Sequence, residues 1–228
     1  MNKKLNFISN IKKNYKIILY LLAFIVVIFS VYFLIPNFFN YTPELIKDSL
    51  KKNNNIYIKN ISNIKYKPFP SPRLSLSRSN LKFEDSIIEV ENGEVEIILN
   101  PLNIIKYKIL DYNKLLIRGG TTNIQINQAN QLLNYVIKNQ KKINFKKNNI
   151  NLFEKNKKLF EINDSLIKFD NKNNTNKLNV IGFFLDYKIY FTLENNFDNK
   201  IKIILKVPEL DLSTNIMIEK IKNFKAIK

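Results

Sequence analysis

Cysteine and histidine are both absent from the 228 residues. Without cysteine there is no disulfide and no thiolate metal site, so burial and strand pairing must hold the fold together. Without histidine the commonest general base, the commonest zinc ligand and every Ser-His or Cys-His arrangement are excluded. Arginine is scarce, with only Arg73, Arg78 and Arg118. That scarcity qualifies the formal net charge of +18, from 37 Lys and Arg against 19 Asp and Glu. Clustered positive charge suits nucleic acid or anionic lipid, but the planar fork used to read bases and grip phosphates is almost missing. Nucleic acid is therefore not an expected partner. The chain is saturated with Asn, Ile and Lys, whose codons are AT-rich, and this composition accounts for much of the charge. Attraction to an anionic membrane surface is the other reading.

What the chain does have is one long apolar run. Ile17 to Ile35 contains no charge and a single small hydroxyl, Ser30. At 1.5 Å per residue it is ~28 Å long, close to the hydrocarbon thickness of a bilayer. A cleaved signal peptide would have a shorter core and a small-x-small site, whereas this run ends Ile35-Pro36-Asn37-Phe38-Phe39. A buried core helix would need protein on every side, more than the rest of the chain supplies. The lysines before the run (Lys3, Lys4, Lys12, Lys13, Lys16) outweigh the mixed charges after it, which places the N-terminus in the cytoplasm and the remainder across the membrane. The expected organisation is a basic cytoplasmic N-terminus (1–16), a transmembrane helix (17–35), a collar with a short helix (36–55) and a β domain (56–228). The expected location is a bacterial inner membrane, single-pass, with the C-terminal domain in the periplasm.

The collar helix has Thr42 as N-cap, Pro43 at the first helical position, an apolar face of Leu45, Ile46 and Leu50, and a stop at Asn53-Asn54-Asn55. Thereafter the period is two. Ile56 and Ile58, then Ile64 and Tyr66, alternate with polar residues, as do Leu74 and Leu76, then Leu81 and Phe83. The slip of phase within each run predicts a β-bulge or bend. Asn92-Gly93 between alternating stretches predicts a two-residue hairpin. In that hairpin Val90 would face Val95 and Ile88 would face Ile97, with Glu91 opposite Glu94 and Glu89 opposite Glu96. Further strands are read over 109–118, 121–127, 143–153, 159–162, 166–169, 178–185, 188–193, 201–207 and 210–217. Helices are read over 128–139 and just after Asn100-Pro101. The fold class is thus mainly β with one N-terminal transmembrane helix and few short helices, the strands forming a long antiparallel meander.

The order of motifs resembles the opening of the AsmA family of envelope proteins. The anchor is followed by Ile64-Lys65-Tyr66-Lys67-Pro68-Phe69-Pro70-Ser71-Pro72, Arg73-Leu74-Ser75-Leu76 and Asn80-Leu81-Lys82-Phe83. Then come Ile97-Ile98-Leu99-Asn100-Pro101-Leu102-Asn103-Ile104-Ile105-Lys106 and Leu115-Leu116-Ile117-Arg118-Gly119. The likeness covers about residues 12 to 127; the chain is shorter than typical members and fits loosely from Gln128 on. The resemblance implies a sheet curled into an open groove, related to TamB-type bridge-like lipid-transfer proteins and linked to outer-membrane lipid supply and assembly.

A one-layer sheet with an apolar concave face must cover that face with ligand, partner or itself. The lining positions are Leu74, Leu76, Ile88, Val90, Val95, Ile97, Leu115, Ile117, Ile124, Ile126, Ile189, Phe191, Ile203 and Leu205. From periodicity alone the same residues suit the core of a closed sandwich or barrel. Lipid is the expected cargo, with envelope proteins as further partners. Two alternatives share the plan: a membrane-tethered structural or interaction subunit, and an LptC-like subunit of lipopolysaccharide transport. No catalytic residue, metal or cofactor is expected. Glu89, Glu91, Glu94 and Glu96 would offer oxygen ligands for Ca²⁺, but neighbouring lysines such as Lys82 or Lys108 make a neutralised solvent face the better reading. Gly119-Gly120 lacks the spacing and the lysine of a phosphate loop and reads as a turn.

Overall fold

The structure is a computed structural model that describes residues 2–83, 87–106, 108–128, 131–132, 135, 142–155, 157–172, 175–196 and 200–219. By internal contacts the chain divides into two units, Met1–Asn40 and Tyr41–Lys228. The first is helix α1, Asn2–Leu34, continued by a 3₁₀ turn over Ile35–Phe38. Tyr15–Phe38 forms one helix long and apolar enough to cross a membrane, and none of its apolar window is buried by protein.

The second unit opens with helix α2, Pro43–Asn54, capped as its residues demand. Thr42 accepts from the Leu45 N–H at 3.3 Å, Pro43 stands in the first turn, and Asn55 ends the helix in the left-handed conformation at φ +52°. Twelve strands follow: β1 (Ile56–Ile58), β2 (Ser62–Lys67), β3 (Arg73–Phe83), β4 (Ile88–Leu99), β5 (Tyr112–Arg118), β6 (Thr121–Gln125), β7 (Lys142–Glu154), β8 (Lys157–Lys172), β9 (Thr175–Phe184), β10 (Tyr187–Asn196), β11 (Lys200–Val207) and β12 (Leu212–Glu219). All belong to one sheet ordered β1-β3-β4-β5-β7-β8-β9-β10-β11-β12, with β2 sharing the edge position beside β3 and β6 continuing β5 between β4 and β7. The fold is mainly β, and the sheet is mostly antiparallel.

Three expectations are corrected. Asn92-Gly93 makes no hairpin. It lies inside the twelve-residue strand β4, which pairs with β3 on one side and with β5 and β6 on the other. Val90 therefore faces Leu81 and Thr122, and Val95 faces Leu76 and Ile117. Second, the meander is interrupted, because β5 and β6 run parallel to β7. A parallel neighbour needs a crossover, supplied by residues 126–141, of which Gln131, Leu132 and Tyr135 are described as helical; the rest of the helix read over 128–139 lies outside the described residues. Third, the described residues after Asn100-Pro101 form successive turns rather than a helix.

The reason β4 does not turn is a pattern shared by β3, β4, the β5–β6 pair, β7 and β8. Each carries two pairs separated by four residues, apolar throughout except for Thr122: Leu74/Leu76 and Leu81/Phe83; Ile88/Val90 and Val95/Ile97; Leu115/Ile117 and Thr122/Ile124; Ile143/Phe145 and Ile150/Leu152; Phe160/Ile162 and Ile167/Phe169. In every case the second spacer has a positive φ: Arg78 (+47°), Asn92 (+55°), Gly119 (+62°), Lys147 (+54°) and Asp164 (+45°). The third spacer is Ser79, Gly93, Gly120, Asn148 or Ser165. Pairing irregularities fall at this place between β3 and β4 and between β7 and β8. The result is a line of β-bulges crossing the sheet, and aligned bulges bend every strand they touch. Asn supplies the left-handed conformation for a bulge as readily as for a turn, which is why the dipeptide misleads.

The bend folds the sheet over its own apolar face. Phe83 on β3 and Phe145 on β7 stand three strand spacings apart, ~14 Å in a flat sheet, yet their ring centroids lie 5.8 Å apart. Tyr135 from the crossover packs edge-on against Phe83 at 5.8 Å and donates to the Asn54 carbonyl at 2.9 Å. Ile46 and Leu50 of α2 and Tyr112 are fully buried in the same interior.

Candidate functional site

Thirteen of the fourteen lining positions fall on one face, as the strand pairing shows. Leu76, Val95, Ile117, Phe145, Ile167, Val180, Phe191, Leu205 and Thr214 stand directly across from one another in an unbroken row from β3 to β12. A second row runs Leu74, Ile97, Leu115, Ile143 and, beyond β8, Leu178, Leu193, Ile203, Ile216. Past the crease Ile88 faces Ile124, and Val90 joins them in the register of β4. Ile189 faces Gly182. The fourteenth, Ile126, falls in a 3₁₀ turn instead of a strand, and its side chain is outside the described residues.

The face is not uniformly open, which corrects the groove expected along the whole length. Leu74, Leu76, Val95, Ile97, Leu115 and Ile117 have 0 % exposure, and Ile88 and Val90 are buried with them. There the trough is filled by α2, Tyr112, Tyr135 and the opposing phenylalanines. From β9 on burial lessens towards the edge strand, although Ile201 and Val207 of β11 are still buried. Leu178, Val180, Ile189 and Leu193 are just buried, Phe191, Ile203 and Leu205 are half-buried, and on the edge strand Leu212, Ile216 and Ile218 are 44–48 % exposed. The bulges stop at the same place: after Asp164 the left-handed residues among those described, Leu185, Asp186 and Asp211, sit between strands. Where strands are bent the interior closes; where they run straight it opens. Ile143, Phe145, Ile167, Val180, Leu193 and Ile216 share this face and were missed, although the spacing of the apolar pairs marks most of them.

On the opposite face the glutamates of β4 are met by neighbouring strands. Glu96 is held between Arg73 at 3.5 Å and Arg118 at 3.2 Å, Glu89 pairs with Lys82, and Glu91 accepts from Asn123 at 3.3 Å. The four glutamates are thus separated by strand pairing and largely answered by cations or amides, and no group of three metal-ligating side chains occurs among the described residues. A depression of about 490 Å³ lies on this face, lined by Glu89, Asn123, Gln125, Asn127, Gln128, Phe153 and Lys155. Gly119-Gly120 is part of the crease: the Gly119 N–H donates to Lys146 O at 2.9 Å and the Gly120 carbonyl accepts from Asn149 at 3.1 Å, so these groups are committed to the sheet.

No family model, no curated protein and no solved structure matches the chain. The AsmA resemblance therefore rests on motif order alone. In its closed part burial raises the Tyr41 and Tyr112 hydroxyls far above the ordinary tyrosine range. Tyr112 remains a neutral donor to Asn54 Oδ1. Among the described residues no buried side chain is charged.

Proposed function

We propose that this chain is an AsmA-like, single-pass inner-membrane protein that holds or passes lipid in the trough formed by β9–β12, in support of outer-membrane lipid supply or assembly. The observation that carries the reading is the apolar face common to the whole sheet, sealed by the chain itself at the α2 end and left uncovered at the β12 end. Burial of apolar surface is favourable by about 25 cal/mol per Å², so the partly exposed strip of Phe191, Ile203, Leu205 and Ile216 gains by meeting alkyl chains, each CH₂ contributing ~0.8 kcal/mol. The role is binding rather than catalysis. The β domain lies in the periplasm on this reading, because the lysine excess precedes the span.

A second reading, a tethered interaction subunit, is favoured by the edge. Leu212–Ile218 carries no charge in a chain of net charge +18, whereas solvent-facing edges are ordinarily blunted by lysine or proline. Such an edge accepts a partner's strand.

Mass spectrometry after detergent-free extraction distinguishes the two. The wild-type chain retains lipid in excess of a chain carrying Phe191→Glu and Leu205→Glu; both sites are half-buried, so the substitutions spare the closed core. Equal lipid in both chains contradicts the proposal and leaves the interaction subunit.

A further inference from the structure

We infer that the corner of the sheet where β2 to β5 end is a membrane-contact surface that seats in the lipid headgroup layer of the bilayer crossed by the chain's own helix. This inference rests on the reading of Tyr15–Phe38 as a span, not on lipid being held in the trough. Two connections meet at the corner, residues 68–72 and 100–111, tied by the Leu99 N–H donating to Pro72 O at 2.9 Å. They present Phe69, Leu102 and Ile109 at 62, 86 and 72 % exposure, with Ile105 beside them.

These side chains are displayed by a built loop. Asn103, Lys106 and Ile109 each donate to the carbonyl three residues back at 2.9–3.1 Å. The Asp111 carboxylate accepts from the amides of Asn100 and Asn103, both at 2.8 Å. Ile104 and Leu110 are buried beneath it. A hydrogen-bonded loop that hides Ile104 and Leu110 and displays Leu102, Ile105 and Ile109 has this outward set oriented by its backbone turns.

Charge and connectivity select the occupant. Lys67, Lys106 and Lys108 flank the apolar tips and are exposed, the combination of apolar insertion and positive rim that suits an anionic lipid surface. Tyr41, stacked on Tyr66 with centroids 6.3 Å apart, is the third residue after Phe38, and three residues extend at most ~11 Å. The chain's own connectivity thus holds Tyr66, and the loop that begins after Lys67, within reach of the bilayer surface.

The absence of cysteine makes the test clean. Single cysteines in the full chain at Phe69, Leu102 and Ile109, and at the exposed control positions Leu185 and Leu210, where strands end on the opposite side of the sheet, are labelled with an environment-sensitive fluorophore. The proteins are reconstituted in vesicles of three parts phosphatidylcholine to one of phosphatidylglycerol, and flotation verifies that the anchor has inserted. Nitroxide-bearing lipid is expected to quench the corner labels at least threefold more than the controls. Equal quenching at corner and control positions in floated vesicles overturns the inference, as does corner quenching that appears only after another protein is added. Neither result bears on lipid retention by the trough, which the Phe191 and Leu205 substitutions read separately.

Discussion

At the scale of single residues the crease makes the sharpest demands. A Cβ on Gly120 would stand 2.3 Å from the Glu91 carbonyl oxygen and 2.9 Å from the Gly93 nitrogen, backbone atoms that cannot swing aside, whereas one on Gly119 meets nothing within 4 Å. Both have positive φ. Gly119→Ala should therefore cost only the left-handed penalty of about 1 kcal/mol, and Gly120→Ala about 3 kcal/mol or more, read from urea unfolding of the full chain by circular dichroism. Equal losses would refute the aligned-bulge geometry. A second test concerns Tyr112. Its hydroxyl stays protonated in the folded chain because burial raises its pKa, while an unfolded tyrosine ionises near pH ~10. The unfolded state then binds fewer protons, so the stability is intact below pH ~10 and is lost as pH climbs above it. Tyr112→Phe should lower stability at neutral pH by ~1 kcal/mol through the lost hydrogen bond and fall less steeply in alkali than the wild type.

Several of these details were legible in the sequence and one was misread for a physical reason. The phase slip between Leu76 and Leu81 predicts a bulge, and Arg78 with its left-handed backbone is that bulge. The slip between Val90 and Val95 is the same five-residue step, but Asn-Gly satisfies the local rule for a hairpin equally well. Only comparison with the matching gaps in β5–β6, β7 and β8 separates the two, since a bulge must be continued by its neighbours whereas a hairpin ends its strand.

At the scale of elements, α2 and β12 are the two ends of one gradient. Ile46 and Leu50 have 0 % exposure, so Leu50→Ala should destabilise by about 2–5 kcal/mol and Thr42→Ala by about 1 kcal/mol through loss of the N-cap. Ile216→Ala, on an edge strand that is half exposed, should cost less than about 1 kcal/mol. Thermal unfolding of the three variants orders them; an Ile216 variant as damaged as Leu50→Ala would mean that protein covers the β12 end. The cap, the proline and the asparagine stop of α2 are local signals and were readable. The crossover through Tyr135 was not, because strand periodicity is silent about which neighbour a strand chooses. A parallel junction between β6 and β7 looks, residue by residue, like another step of a meander.

For the whole molecule, one sheet does two jobs that depend on whether its strands are bent. The creased strands β3 to β8 close around side chains of the same chain and supply the stability of a domain without disulfides. The straight strands β9 to β12 continue the same apolar face, still buried at Leu178 and Ile201 and open at Leu212, Ile216 and Ile218 of the edge strand. Length and alternation are enough to read a mainly β chain with one apolar face and one helix long enough to cross a membrane, but which part of that face is sealed depends on residues far apart in sequence meeting across the fold, as Phe83 and Phe145 do. The measurement closest to the central claim is site-specific photo-crosslinking in cells along the single row that crosses the sheet. With the photoreactive residue at Leu76, Ile117, Phe191 or Leu205 in turn, lipid adducts should form at Phe191 and Leu205 and be absent at Leu76 and Ile117. Adducts that are absent from all four, or equally frequent at all four, would contradict the account.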